Sequence, residues 1–231
     1  MTTELAADLY EIGPARRYAG DIAVRVVRAG WFRPDAGGFF GVVPRPLWSR
    51  FVETDERGRI LVRLNLLLIE ADAKRVVVET GTGVHMSDKD RDIKGVEGGD
   101  AAEALRAVGE DPASIDYLVV SHLHYDHAGG MTDGDGRPAF PNARYVVQRD
   151  ESEAAHGDEL RVQGLMEVEQ LDRVRAAGQL AEVNGEVELV DGVSVIRTGG
   201  HTRGSQAVLI GSRRGGGRAG DPTDRGVRAR E

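Results

Sequence analysis

The amino-acid sequence predicts an α/β protein, in which helices cover the faces of β-sheets. Stretches rich in β-branched residues recur along the chain, and segments with helical signals lie between them. The chain has 231 residues, of which 40% are hydrophobic, and this is enough to bury a core. The sequence shows no internal repeat, so we expect an ordinary layered domain.

The first half of the chain contains three predicted strands. Residues 21–32 (DIAVRVVRAGWF) form the first strand, and residues 58–71 and 74–80 form a hairpin that turns at residues 72–73. Residues 33–57 are rich in Gly, Pro and aromatic residues and follow neither a helical nor a strand period. We therefore predict a long irregular loop between the first and second strands.

The second half of the chain alternates helices and strands. The clearest helix lies in residues 99–112, where Asp100 is the N-cap and Glu103 is its capping-box partner. The further predicted elements are a buried strand at 115–122, a strand at 143–151, a helical stretch at 160–178, a hairpin at 186–200 and a last strand at 205–212. This interleaving is typical of sheets covered by helices.

Composition and charge argue against several classes of protein. The net charge of −8 opposes binding to nucleic acid, because phosphate contacts need clustered Lys and Arg. The chain has no cysteine, which excludes disulfides and cysteine-ligated zinc. No apolar run is long enough for a membrane helix and no export signal is visible, so we expect no membrane association and, by default, a cytoplasmic location.

The last twenty residues differ in composition from the rest of the chain. Residues 212–231 contain six arginines against three acidic residues, and only three apolar side chains. Such a segment offers too little apolar surface to pack against a core. We therefore predict a folded domain over residues 1–211 and an Arg/Gly-rich, disordered tail over residues 212–231.

A histidine cluster is the strongest chemical signal in the sequence. The stretch HLHYDHAGG, residues 122–130, holds three of the six histidines of the chain. His122 and His124 are two residues apart, so both rings can face one metal ion. Asp126 and His127 follow where a helix is expected to begin, and could face the same cavity from another direction. The alternative is a chance grouping of ordinary histidines, but a divalent metal explains why neutral imidazoles would crowd together.

A third imidazole comes from the stretch IRTGGHTRGSQ. His201 lies at the end of a predicted strand, and the glycines before it let the backbone turn sharply. Taken alone, this residue reads as an ordinary loop histidine. Together with the cluster, it completes the three-imidazole set that catalytic zinc sites use.

These motifs resemble the metallo-β-lactamase-fold hydrolase superfamily. HLHYDHAGG and GGHTRGSQ match its two metal-binding motifs, and residues 20–211 are similar to the subgroup related to N-acyl-homoserine-lactone hydrolases. The resemblance implies an αββα sandwich with a dinuclear zinc site at the edge of two sheets. This sandwich would be incomplete at the C-terminus of the present chain.

The resemblance also implies a set of metal ligands. His122, His124 and His201 would bind the first zinc, and Asp126 and His127 the second. Asp221 could be the bridging aspartate of the family, although no apolar strand precedes it, and no histidine follows His201. We therefore predict one tightly held zinc and a second position that is weak or empty.

The implied activity is hydrolysis of a small ester or lactone, such as an acyl-homoserine lactone. Zinc lowers the pKa of its bound water to about 7 and so supplies hydroxide at neutral pH. The resemblance gives Asp126 a catalytic role as proton acceptor. The alternative is a truncated, catalytically impaired metal-binding fragment of such a hydrolase. The expected partner is the small-molecule ester or lactone substrate, and a homodimer is an open alternative. We expect no binding to nucleic acid or to a membrane.

Two further features leave alternatives open, and two histidines lie outside the motifs. Glu79 stands where the family usually has an aspartate beside the ligands, and is interpreted either as a carboxylate that orients an imidazole or as a solvent-facing residue. The apolar residues of 33–57 form either an apolar rim for an acyl chain or ordinary core. His85 and His156 match no ligand motif and are predicted to lie at the surface.

Overall fold

A computed structural model describes residues 16–157 and 164–211. The strands are β1 (Arg17–Ala19), β2 (Ile22–Phe32), β3 (Val62–Ala71), β4 (Lys74–Val78), β5 (Glu97–Gly98), β6 (Tyr117–Val119), β7 (Arg144–Gln148), β8 (Leu180–Val183), β9 (Glu186–Val190), β10 (Val193–Arg197) and β11 (Gln206–Ile210). The α-helices are α1 (Ala36–Phe40), α2 (Arg45–Trp48), α3 (Asp88–Lys94), α4 (Ala101–Ala107), α5 (Tyr125–Ala128), α6 (Arg149–Ala155) and α7 (Val168–Ala176).

The strands form two sheets. The larger sheet has eight strands in the order β1-β2-β3-β4-β6-β7-β8, and β5 pairs with β2 at its side. Strands β1 to β4 are antiparallel, whereas β4, β6, β7 and β8 are parallel. The smaller sheet is an antiparallel meander in the order β11-β10-β9.

Both faces of the large sheet are buried. Side chains on a strand alternate between its two faces, so Val77 and Leu118 lie in one hydrophobic cluster and their neighbours Val76 and Val119 lie in another. The first cluster includes Leu105 of α4 and residues of α7, which cover the outer face of the sheet. The second cluster joins the large sheet to the small one. The described residues therefore form a helix layer and two sheet layers, which confirms the predicted α/β class.

The parallel strands bring several loops to one edge of the large sheet. Strand β4 ends just before Glu79, and β6 ends just before the histidine cluster. The backbone N–H of Glu79 donates to the carbonyl of Val119 at 2.9 Å. Ligand sites in α/β sheets lie outside the carboxyl ends of the strands. The predicted metal ligands in residues 122–127 therefore lie where such a site is expected.

Most predicted elements are confirmed. The hairpin turns at Asp72 and Ala73, which have φ of 48° and 56°. The carboxylate of Asp100 caps α4 by accepting the N–H groups of Ala102 and Glu103, at 2.8 and 3.1 Å. The buried strand before His122 and the hairpin of β9 and β10 are also present.

Two predictions about local structure are wrong. The strand predicted at 143–151 ends at Gln148, and residues 149–151 begin helix α6. Asp150 and Glu151 then lie in the first turn of the helix, where the helix dipole favours negative charge. The segment predicted as a loop, residues 33–57, contains the short helices α1 and α2. Trp48 of α2 packs with Ala36 of α1 and with Ile60 in a small buried cluster, which stabilises both helices.

Within the described ranges, no helix is both long and apolar enough to span a membrane. The predicted tail, residues 212–231, lies outside these ranges, so the division of the chain at residue 211 stays a prediction.

Candidate metal centre

His122 lies three residues after the end of β6 and is buried, with only 6% of its surface exposed. Its Nδ1 lies 3.0 Å from the hydroxyl oxygen of Ser121. Its Nε2 is buried and has no hydrogen-bond partner. A buried polar atom without a partner is costly, so it calls for an explanation such as an ion.

The other two predicted imidazoles meet His122 at this point. His124 Nδ1 and His201 Nε2 lie 3.1 Å apart. The potential ligand atoms of the three histidines all lie within 4.8 Å of one another. Two nitrogens held tetrahedrally by zinc, each at about 2.0–2.1 Å, lie about 3.3 Å apart. The three residues therefore fit a zinc-sized cation.

The loop that carries His201 is shaped by two glycines. Gly199 and Gly200 have φ of 61° and 94°, a backbone region that favours glycine. The N–H groups of Thr198 and Gly199 both donate to the carbonyl of Ser205, at 2.8 and 2.9 Å. This closes a tight loop between β10 and β11 and places His201 at its tip.

Asp126 and His127 lie beside the three-histidine group, on the short helix α5. The rings of His122 and His127 have centroids 4.1 Å apart. His127 Nε2 lies 3.4 Å from Asp126 Oδ2. The structure thus brings together five of the six predicted ligands, although the tight group of possible ligand atoms contains only the three histidines. The sixth, Asp221, lies outside the described residues, and the ligand roles stay predictions.

Glu79 contacts the far side of the His127 ring. Its Oε2 lies 3.1 Å from His127 Nδ1, although the contact does not meet hydrogen-bond geometry. Glu79 also has φ of 73°, which is unusual for a residue other than glycine. Of the two interpretations of Glu79, this geometry favours the carboxylate that orients an imidazole.

Burial and neighbouring charges set the protonation of the cluster. Burial, together with the nearby imidazoles, lowers the pKa of His122 to about 3 and also lowers the pKa of His124. Burial also lowers the pKa of His127, but its contacts with Asp126 and Glu79 outweigh this effect and raise the pKa to about 10. Burial raises the pKa of Asp126, and its hydrogen bond with His127 more than offsets this, so the net shift is downward. His122 and His124 are thus neutral, as metal ligands must be.

The apolar segment 33–57 is partly core and partly surface. The ring of Phe40 stacks on buried Trp48 with centroids 4.9 Å apart. Val42 is fully exposed and Phe51 is 86% exposed. The segment begins after Phe32, whose ring contacts Tyr125, the residue that follows His124. The core interpretation therefore holds for part of the segment, and the rim interpretation of its exposed part stays a prediction.

His85 and His156 are exposed, as predicted. Nε2 of His85 lies 2.9 Å from the hydroxyl of Thr132, and Nε2 of His156 lies 3.0 Å from Asp172 Oδ1. Neither belongs to the group of possible metal ligands in the described residues.

Sequence reasoning missed Glu151, a buried acid close to two of the ligand loops. Its carboxylate accepts hydrogen bonds from Leu123 and from Thr202. It follows the apolar residues 145–147 (YVV) by only four positions, so its place in the sequence reads as the end of a strand. An acidic pair following a buried strand is also a signal for a helix start, and this was the available clue.

Comparisons with known proteins point to one family. The profile of the Metallo-beta-lactamase superfamily matches residues 61–216. An N-acyl homoserine lactonase of Bacillus sp is 32% identical over 178 residues, which are 74% of this chain and 60% of the relative. The chain thus spans about 60% of the length of these curated relatives.

Two solved structures show the same fold. A probable metal-dependent hydrolase from Staphylococcus aureus has a TM-score of 0.77 at 30% identity, covering 85% of this chain and 71% of the other. The dizinc quorum-quenching lactonase AidC has a TM-score of 0.70 at 19% identity, covering 90% and 72%. With these similarities and the superfamily profile covering most of its length, the chain belongs to the metallo-β-lactamase superfamily.

Proposed function

We propose that this chain is a zinc-dependent hydrolase of a small ester or lactone, with an N-acyl-homoserine lactone as the specific candidate. The observation that carries the proposal is the meeting of His122, His124 and His201, with the unpartnered Nε2 of His122 among them. Asp126 and His127 lie directly beside this group. The lactonase names of the relatives support the substrate class.

The three histidines would hold the first zinc, and Asp126 and His127 would contribute to a second. Bound zinc would supply a nucleophile at neutral pH and would polarise the carbonyl of the substrate. Imidazole ligands would also accept other divalent metals, so zinc rests on the family and on the three-nitrogen set.

Asp126 is the group we assign to proton transfer. Its pKa lies below the ordinary value, because the contact with His127 outweighs the effect of burial, so the carboxylate is ionised at neutral pH. It can therefore accept a proton from the attacking water and pass it to the leaving oxygen as the acyl C–O bond of the ester or lactone breaks. Glu79 would hold the ring of His127 in place through Nδ1.

Apolar side chains near the cluster offer a surface for an acyl chain. Tyr125 lies next to His124, and its ring contacts the ring of Phe32. Phe32 is followed directly in sequence by residues 33–57, several of which are apolar and exposed. Small-molecule sites combine such an apolar lining with a few polar groups. A lactone that carries an acyl chain would use both, with its ring at the metal and its chain on the apolar side chains.

Metal binding without turnover is the second candidate, and one observation favours it. Among the described residues, the tight group of possible ligand atoms contains only His122, His124 and His201, so a second metal would need a ligand beyond Asp126 and His127. Asp221 is the proposed one.

The test is hydrolysis by the zinc-loaded chain. The wild-type chain, His201→Ala and the matched surface variant His156→Ala would be assayed with hexanoyl-homoserine lactone and with a simple aryl ester. We expect turnover in the wild type and in His156→Ala, and a loss of at least about 100-fold in His201→Ala. Zinc uptake without any turnover would favour the second candidate, and equal activity in all three chains would contradict the proposed site.

A further inference from the structure

Glu151 is a charged side chain buried beside the histidine cluster. It is only 1% exposed and lies in the first turn of α6. Neither the ligand set nor the proposed proton transfer uses this residue. A carboxylate so deeply buried is costly unless hydrogen bonds satisfy it, so its partners show what it does.

The two oxygens of Glu151 connect the two loops that carry the histidines. Oε1 accepts the N–H of Leu123, at 2.9 Å, and Leu123 lies between His122 and His124. Oε2 accepts the hydroxyl of Thr202 and the N–H of Gly204, at 2.6 and 2.8 Å. Thr202 directly follows His201. One carboxylate thus bridges two segments that are far apart in sequence.

The His201 loop also packs closely against the backbone of Glu151. A Cβ at Gly204 would lie 2.1 Å from the backbone nitrogen of Glu151, so only glycine allows so close an approach. The hydroxyl of Ser205 lies 2.7 Å from that of Thr202 and accepts the N–H of Thr202 at 3.0 Å. The loop of residues 201–205 is therefore fixed against Glu151 both by its backbone and by hydroxyl groups.

We propose that Glu151 is a positioning residue for the metal centre: it holds the loop of His201 against the segment of His122 and His124, so that three imidazoles on two loops meet. The inference rests on the proposed function, because it concerns the metal that this function requires. Hydrogen bonds to an ionised acceptor are stronger than neutral ones, and the start of α6 stabilises the negative charge.

The variant Glu151→Gln tests this role with little change in shape. Whichever way the amide is turned, its NH₂ group faces an N–H donor, either that of Leu123 or that of Gly204. Glu153→Gln is the matched control, because Glu153 is exposed on the same helix and the charge change is identical. The buried-core variant Val174→Ala shows what a general loss of stability does.

Two measurements are made on each chain. The first is zinc affinity by competition with a chromophoric chelator, together with the visible spectrum of the cobalt-substituted chain, which reports the number and geometry of the ligands. The second is amide hydrogen exchange of the metal-free chain in peptides that cover residues 121–125 and 199–205.

We expect Glu151→Gln to weaken zinc binding by about 10- to 100-fold, to change the cobalt spectrum and to speed exchange in both peptides. Glu153→Gln and Val174→Ala should leave the spectrum unchanged. Wild-type affinity and spectrum in Glu151→Gln would overturn the proposal. If the wild-type chain takes up no zinc, the proposed function fails, and unchanged exchange in residues 199–205 of Glu151→Gln would separately overturn the loop-holding role.

Thr202→Val keeps the test decisive if Glu151→Gln does not fold. This change removes one of three donors and leaves both backbone hydrogen bonds in place. We expect a smaller loss of zinc affinity, about threefold to tenfold, with recovery in Thr202→Ser. No loss in Thr202→Val would contradict the proposal.

Discussion

Two carboxylates stand behind the histidines of the metal centre, and they act at different levels of the structure. Glu79 contacts the ring of one predicted ligand, His127, through a single oxygen. Among the described residues, Glu151 makes no hydrogen bond to an imidazole, and instead accepts three hydrogen bonds from the segments that carry His122, His124 and His201. Glu79 can tune one ligand, whereas Glu151 places whole loops.

The backbone conformations of Glu79 and Glu151 also differ. Glu79 has φ of 73°, a strained value for a side chain with a Cβ. Glu151 lies in a regular helix. Strain is a common feature of functional sites, where the surrounding structure enforces it. In this site, then, a strained residue contacts a ligand ring, whereas an unstrained helix holds the loops that carry the ligands.

The largest effect is expected for Gly204→Ala, which pushes the His201 loop away from Glu151. The added methyl would lie 2.1 Å from the nitrogen of Glu151, and no side chain can move to relieve this clash. We expect a loss of about 1–3 kcal/mol in the free energy of unfolding, and a loss of zinc affinity of at least about tenfold. Urea unfolding and chelator competition measure the two effects.

Gly211→Ala is the control for that change, because a Cβ at Gly211 would meet no atom within 4 Å. It should leave both quantities unchanged. If Gly204→Ala binds zinc as tightly as the wild type, the contact between Glu151 and the His201 loop does not set the geometry of the site.

A smaller and more local effect is expected for Glu79→Gln. Removing the charge of Glu79 removes one of the two partners that raise the pKa of His127. In the metal-free chain this pKa should fall from about 10 toward the ordinary value, while Glu151→Gln should leave it unchanged. A histidine NMR titration measures it. Equal shifts in both variants would remove the distinction between the two carboxylates.

The same pair predicts how the stability of the metal-free chain depends on pH. Burial lowers the pKa of His127, but Asp126 and Glu79 raise it to about 10 in the folded state, against about 6.5 in an unfolded chain. The contribution of His127 is therefore complete below about pH 6.5 and is lost as the pH rises toward 10. Urea unfolding at a series of pH values should show this decline, and Glu79→Gln should reduce it. A decline of the same size in that variant would assign it to other groups.

The smallest effect is expected away from both carboxylates, at Val42. This side chain is fully exposed, and Val42→Ser should change the free energy of unfolding by less than about 0.5 kcal/mol. Zinc affinity should not change. The informative measurement is KM for lactones with short and long acyl chains. If residues 33–57 form an apolar rim, Val42→Ser should raise KM for the long-chain lactone alone.

Much of the fold follows from local sequence signals. The turn at residues 72–73 and the cap at Asp100 are set by neighbours in sequence, and both were predicted correctly. The three-histidine group could be predicted because its members lie in two short motifs with a strong chemical preference. Periodicity alone could not reveal α6, since this helix begins directly after strand β7 and no Gly or Pro separates the two.

The role of Glu151 could not be predicted in the same way, and the role of Glu79 came only from the family resemblance, as one of two alternatives. Glu151 acts through partners 28 and 51 positions away in sequence, at Leu123 and Thr202. Glu79 reaches His127 only because β4 and β6 are neighbours in the sheet. Such contacts depend on tertiary packing, and no pattern within either segment encodes them.

X-ray absorption at the zinc edge, on the chain loaded with one equivalent of zinc, tests the central claim most directly. We predict a site with three imidazole nitrogens at about 2.0–2.1 Å, and with one imidazole fewer in His201→Ala. A wild-type chain that binds no zinc, or a spectrum that His201→Ala leaves unchanged, would contradict the metal centre formed by His122, His124 and His201.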